Sequence, residues 1–306
     1  MLTGRKRGYP CGPALAAVVP LGAWSPSGAW PKTLKKRRRT LRTMPHPEEV
    51  VFPSRRERFE DRRKEGQHRK LLDEFFDHST LLAVSRLINR GQFDAVDYPI
   101  STGKEGGVFR ATKGEEFRAV KIYRIANTAF RHLPPYAMEA LRREASARNY
   151  GGLIFAWTRR EHTVLGRLHE GGVPVPKPYG HFRNVLVMEF IGNADGAAPR
   201  LRDALIEDPD ALYRDLVTAI GHMVRDAKLV HGDLSPYNTL FFEGHPVLID
   251  VAQAIETDHP QARALLARDI ENFAKFLSRL GDPVDPDEFF REVGGDRVGP
   301  PAVETR

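Results

Sequence analysis

The chain has 306 residues, 41% hydrophobic and 28% charged, enough to bury a sizeable core in one large domain or two lobes. The net charge of +7 is local: residues 1–45 hold ten Lys/Arg and no Asp/Glu, which leaves 37 basic against 40 acidic residues, or −3, in the body. The one cysteine, Cys11, also lies in that leader, so disulfides, zinc–thiolate sites and thiol catalysis are excluded from the body.

Within the leader the longest apolar stretch, Ala14 to Trp24, is broken by Pro20 and too short to span a bilayer. Arg5-Lys6-Arg7 before it imitates a signal peptide, but the Lys35–Arg39 run and the lack of a small-x-small cleavage site argue against export. A cytoplasmic protein without membrane contact is expected. The leader itself reads as a disordered polyphosphate-binding arm, a targeting tail or untranslated sequence, because composition changes abruptly at Met44.

Arg55 to Lys70 is dense in both charges, the pattern of a solvated helix face. Apolar residues gather at Leu71, Leu72, Phe75 and Phe76, and a second helix follows, capped by Ser79 and closed by Gly91. Residues 46–97 therefore predict a small helical module. From 98 to 124, short apolar runs split by glycines predict a strand meander. Residues 125–152 show little periodicity and many charges, which predicts a long flexible loop.

A helix is expected from Phe155 to Glu170, stopped by Gly171-Gly172. Glu161 falls inside its apolar stripe, where a carboxylate is costly without a partner. It is either an exposed edge residue or a glutamate aimed at a lysine across the fold. Strands over 179–182 and 185–190, helices near 210–227 and 260–280, and a frayed tail from 294 complete the chain. Strands first and helices later predict an α+β bilobal architecture, with lobes over 98–191 and 192–293.

Four segments carry candidate chemistry. Ser101-Thr-Gly-Lys-Glu-Gly-Gly-Val108 lies between two predicted strands, is not a Walker A loop, and matches the later part of a kinase glycine-rich loop. Lys121 follows on the third strand of the meander, where it can reach nucleotide phosphates if Glu161 holds it. Val187 to Gly192 reads as a strand ending in a hinge, with backbone groups of Glu189 and Ile191 available to adenine.

His231-Gly-Asp-Leu-Ser-Pro-Tyr-Asn238, then Leu248-Ile249-Asp250 after a short hairpin, is the most specific pattern. Protein kinases place an Asp at the attacking hydroxyl, an Asn on Mg²⁺ five residues later, and a second metal-binding Asp after a short strand.

These residues resemble the RIO family of atypical serine/threonine protein kinases, in its type-one branch, over about residues 60–290. The resemblance rests on Ser101–Glu105, Val120–Arg124, Trp157-Thr158 before Glu161, Val173–Pro176, Met188–Gly192 and Ile249–Val251. It implies a protein-kinase-like bilobal fold preceded by the helical module, with ATP and Mg²⁺ (or Mn²⁺) as cofactors. Ser101, Gly103, Lys104, Glu105, Gly106 and Val108 would cover the phosphates, Lys121 would contact them, and Glu161 would orient Lys121. The resemblance further implies Asp233 as catalytic carboxylate, Asn238 and Asp250 as metal ligands, and Asp250 as acceptor of an aspartyl-phosphate.

Serine on a protein, autophosphorylation, and small-ribosomal-subunit maturation with contact to a pre-ribosomal particle or rRNA through the basic segments are implied too. The chain departs from the family at Gly107 and Phe109, where Asn and Tyr are frequent, and at Pro236, where Glu is usual. Only 56 residues follow Asp250, without an Ala-Pro-Glu motif, so acceptor recognition is expected to be minimal or delegated. A small-molecule kinase of the aminoglycoside or choline type is the alternative. The 38 residues between Gly192 and His231 leave it little room for a substrate-binding insertion.

Overall fold

The computed structural model describes residues 75–125, 133–144 and 150–300. The leader over 1–45, the Arg55–Lys70 helix and the apolar pair Leu71-Leu72 lie outside the described residues.

Helix α1 (His78–Asn89) buries Thr80, Ala83, Val84 and Leu87, the spacing of one helical face. Its N-cap is Asp77, not the expected Ser79: the carboxylate accepts the Thr80 N–H at 2.7 Å, which moves the helix start to His78. Gly91, at φ 67°, ends the turn as expected.

Five antiparallel strands follow: β1 (Ala95–Thr102), β2 (Gly106–Lys113), β3 (Glu116–Tyr123), β4 (Pro178–Phe182) and β5 (Val185–Glu189), in the order β1-β2-β3-β5-β4. β1 begins at Ala95, inside the range assigned to the helical module. It is irregular, with register shifts between Val96 and Tyr98 and between Pro99 and Ser101.

Alternation along β3 divides the sheet into two faces. Val120 and Ile122 join Phe109, Val185 and Val187 against α1 and Phe75 on the outer face. Ala119 and Tyr123, with Leu186 and Met188, pack on the inner face with the helical lobe. Lys121, between Val120 and Ile122, therefore points inward by parity alone. Asn184 ties the two layers, donating to Thr80 Oγ1 at 2.9 Å and to the Tyr123 carbonyl at 2.8 Å.

The expected loop over 125–152 is wrong in part. Helix α2 (Pro135–Glu144) lies within it, and α3 (Tyr150–Glu170) begins five residues before the expected Phe155. Pro135, the first residue of α2, has its φ preset for a helix, and Tyr136, Ala137 and Leu141 are buried beneath it. The surrounding charges hid that short stripe.

The second lobe holds α4 (Pro209–Arg225), α5 (Ala262–Leu277) and α6 (Pro286–Glu292), with strand pairs β6 (Leu229–Val230)/β9 (Ile255–Glu256) and β7 (Thr239–Phe242)/β8 (His245–Leu248). Leu266, Ile270, Phe273 and Leu277 are buried as expected, but Leu280 lies past the helix end and is 38% exposed. Nor does the described part of the tail from 294 fray. Gly295–Arg297 forms a 3₁₀ turn, Val298 is buried, and the Gly299 N–H donates to the Thr257 carbonyl at 2.8 Å.

Candidate active site

The turn between β1 and β2 is tight: the Gly103 N–H donates to the Gly106 carbonyl at 2.9 Å, and Ser101 and Thr102 pair with Val108 and Gly107. Lys104 and Glu105 occupy its exposed tip. A Cβ on Gly106 would stand 2.5 Å from the Ile122 carbonyl oxygen, so this glycine is demanded by the approach of β3. A Cβ on Gly103, by contrast, would meet only the Gly106 carbonyl oxygen, at an ordinary 3.8 Å.

Lys121 joins three distant parts of the chain. Its Nζ donates to Glu161 Oε1 at 2.7 Å and to Asp250 Oδ1 at 2.5 Å. Glu161 is 1% exposed, so the reading of an edge residue is excluded. The other Glu161 oxygen accepts the Tyr123 hydroxyl.

Burial opposes the charge on Lys121, but Asp250 and Glu161 outweigh it and raise its pKa well above the ordinary lysine value. Lys121 in turn holds the Asp250 carboxyl below its usual range. Burial, then Glu161, pushes the Tyr123 phenol well up, so it remains a donor. Tyr123 was not among the residues predicted for the site. Its one signal is that it sits two positions beyond Lys121 on the same strand face.

The loop after β6 is fixed from several sides. His231 Nε2 lies 3.0 Å from the Ile249 carbonyl, and burial lowers the imidazole pKa, so the neutral ring donates there. The fully buried Asp269 of α5 accepts the Gly232 N–H at 2.9 Å and the Leu234 N–H at 3.0 Å. Burial nonetheless pushes its carboxyl up to about 7. Arg268 donates to the Gly232 carbonyl, and Asn272 to the Leu234 carbonyl at 3.3 Å. Asp233, between two buried neighbours, is left exposed. Sequence reasoning missed Asp269, although it stands in the buried stripe of α5 as Glu161 stands in that of α3.

Asn238 donates through Nδ2 to the Asp233 carbonyl at 2.9 Å and to Asp233 Oδ2 at 3.2 Å. Its own carbonyl accepts the Ile249 N–H at 3.0 Å, because β7 and β8 pair Thr239 with Leu248. The hairpin thus sets Asn238 beside Asp250. Asp250 itself is left-handed, at φ 60° and ψ 46°, an uncommon conformation for a residue with a side chain.

Asn238 Oδ1 and Asp250 Oδ2 make none of these contacts, an all-oxygen donor pair that fits Mg²⁺. Among the described residues no group of three or more His, Cys, Asp or Glu could hold a metal alone. A cation here would complete its shell with phosphate and water.

At the hinge, the Glu189 N–H donates to the Lys177 carbonyl at 2.8 Å and the Ile191 carbonyl accepts the Ala198 N–H at 2.9 Å. Those two groups are spent and are not open to an adenine edge. Among the described residues, no helix is long and apolar enough to cross a membrane.

A small antiparallel sheet over a helical lobe, a lysine–glutamate pair beneath the sheet, and an Asp/Asn loop followed by a hairpin and an Asp define a protein-kinase-like phosphotransferase. The family model for the RIO domain matches residues 107–289. The chain belongs to that family and is an atypical kinase.

It is 41% identical over 239 residues to the RIO-type serine/threonine-protein kinase Rio1 of Haloferax volcanii, covering 78% of this chain and 82% of that one. The Methanocaldococcus jannaschii protein of the same name is 32% identical over 245 residues, covering 80% and 84%. Serine/threonine-protein kinase RIO1 of Caenorhabditis elegans is 37% identical over 225 residues, 72% of this chain but 44% of that longer one.

Solved structures share the fold. The Rio2 kinase from Chaetomium thermophilum has a TM-score of 0.56 at 23% identity, covering 72% of this chain and 68% of its own. A Rio2 kinase–ADP/Mg²⁺–phosphoaspartate complex from the same organism has a TM-score of 0.53 at 24% identity, covering 70% and 66%. These relatives do not favour the small-molecule kinase alternative.

Proposed function

We propose that the chain transfers the γ-phosphoryl group of Mg·ATP to serine hydroxyls of proteins, its own included. Lys121 holds α/β-phosphate oxygens, and Glu161 with Tyr123 fixes Lys121. Asn238 and Asp250 hold Mg²⁺, which neutralises phosphate charge when bound. The turn over 101–108 covers the phosphates, and Asp233 aligns the serine.

The serine oxygen bonds to the γ-phosphorus as the bond to the β–γ bridging oxygen breaks. ADP leaves, and the hydroxyl proton passes to Asp233. Catalysis is mainly positioning and charge neutralisation. The observation that best supports this reading is the contact of Lys121 Nζ with both Glu161 and Asp250, residues 40 and 129 positions away.

A second course runs through Asp250: its carboxylate takes the phosphoryl group, and water then hydrolyses the acyl phosphate. The Rio2 complex with ADP, Mg²⁺ and phosphoaspartate favours it by analogy. A role in small-ribosomal-subunit maturation, with the basic segments on rRNA, extends the same reading.

The test is Asp233→Ala. Calorimetry should find Mg·ATP uptake close to that of the native protein, and mass spectrometry should find no phosphoserine after incubation. Phosphoserine at the native rate would remove Asp233 from its role. Reductive trapping of an acyl phosphate at Asp250 separates the two courses.

A further inference from the structure

Phe75 lies outside the elements that carry the reaction, yet it touches the nucleotide-side turn from behind. It is 2% exposed, and its ring meets Phe109 of β2 edge-on, with centroids 5.5 Å apart and planes at 77°. Phe76 meets the same ring at 5.2 Å. The contact depends on Gly107. A Cβ there would stand 2.9 Å from Phe75 Cε1, 3.1 Å from Phe75 Cζ and 3.0 Å from Phe109 Cε2. The missing side chain at 107 is the seat of the ring.

Phe75 also reaches the tip of the turn through a second route. The Arg124 guanidinium lies 4.3 Å above its ring, and the Arg124 backbone N–H donates to the Glu105 carbonyl at 3.0 Å. Gly107 follows the turn directly, and Val108, the next residue, faces the cleft on the opposite side of β2. Both contacts fall on the β2 side of the turn, at Glu105 and Gly107, so the ring backs the exposed tip at Lys104 and Glu105 from one side. Gly107 and Phe109 are the β2 residues that accommodate Phe75.

We propose that Phe75 is a positioning residue for the nucleotide-covering turn: a wedge seated at Gly107 that fixes how far β2 leans toward the bound phosphates. The proposal rests on the reading of residues 101–108 as that turn. In a close-packed layer an emptied seat lets β2 relax outward and carries the backbone N–H groups of 103–107 away from the phosphates. Phe75 touches no reacting atom. Its removal weakens nucleotide binding and leaves the chemical step intact once nucleotide is saturating.

A double-variant cycle on the full chain tests this. Phe75→Leu, which keeps an apolar filler, should raise the KM for Mg·ATP about five- to tenfold with kcat at saturation retained, the scale expected for packed neighbours. Gly107→Ala should do the same, because its methyl group evicts the ring. The two together should be no worse than the more damaging single change, since leucine lacks the Cε1 and Cζ atoms that the methyl group would meet.

Multiplicative losses in the double variant would overturn the proposal. So would a fall in kcat at unchanged KM, which is what simple loss of folded protein gives. Calorimetry on the native chain separates the underlying reading. No Mg·ATP uptake there sinks the assignment of the turn itself, whereas normal uptake with an additive cycle sinks the wedge alone.

Discussion

Glu161 shows what a single buried charge costs and what it secures. A carboxylate 1% exposed is tolerable here because the Lys121 ammonium and the Tyr123 hydroxyl take one oxygen each. Lys121→Met should therefore do more than abolish phosphoryl transfer. It strands the Glu161 charge and should cost about 3 kcal/mol of stability, visible as a fall in thermal midpoint. Adding Glu161→Gln should restore most of that stability and none of the activity. A Lys121→Met protein as stable as the native one would show that the pair carries no such charge. The Glu161 position was legible because helical spacing put an acid in an apolar stripe. Tyr123 was not, because a tyrosine in a strand is ordinary core filler until its hydroxyl has a visible partner.

Helix α5 holds the loop after β6 through Arg268, Asp269 and Asn272, and Asp269 alone does so with a buried carboxyl group. Asp269 follows Leu266 and precedes Ile270 and Phe273 on the buried face, the same violation of apolar patterning that marked Glu161. Its backbone targets, Gly232 and Leu234, are 35 or more positions away, so the pattern announces a buried acid without saying what it holds.

Its titration has a definite sign. The folded-state value of about 7 lies above the ordinary 3.8, so between about pH 4 and 7 the folded protein keeps a proton that the unfolded chain has lost. Stability from this group therefore falls as pH rises through that window and stays low above it. Asp269→Asn should flatten that part of the denaturation-midpoint profile. An amide oxygen cannot accept from both N–H groups as fully as a carboxylate, so kcat should fall as well. An unchanged pH profile would show that Asp269 is ionised throughout. Helix α2 was missed for the opposite reason: its buried residues are few and stand among charges that imitate a solvated loop.

Across the whole molecule, the bilobal plan was readable because glycine-punctuated strands precede long amphipathic helices. The inner and outer faces of the sheet followed from alternation along β3. The hairpin expected before Asp250 is the β7/β8 pair, whereas β6/β9 was beyond reach, since strands of two residues carry no usable period.

Charge is unevenly divided at this scale: ten basic and no acidic residues in 1–45, against −3 for the rest. Binding of rRNA through those residues should weaken with salt by about 0.7 to 0.9 in log K per log unit for each phosphate contacted. A chain lacking 1–45 should lose that slope while keeping Mg·ATP hydrolysis. A slope unchanged by the deletion would place any RNA contact elsewhere.

Among the described residues, β1 has a strand neighbour on one side only. Its regularity is broken by two shifts of register against β2 and by Pro99, which has no N–H to offer. A stray extended polypeptide would find no unbroken ladder to copy there. The irregular strand that leads into the turn at Gly103 thereby also keeps neighbouring molecules from templating on one another in a crowded solution.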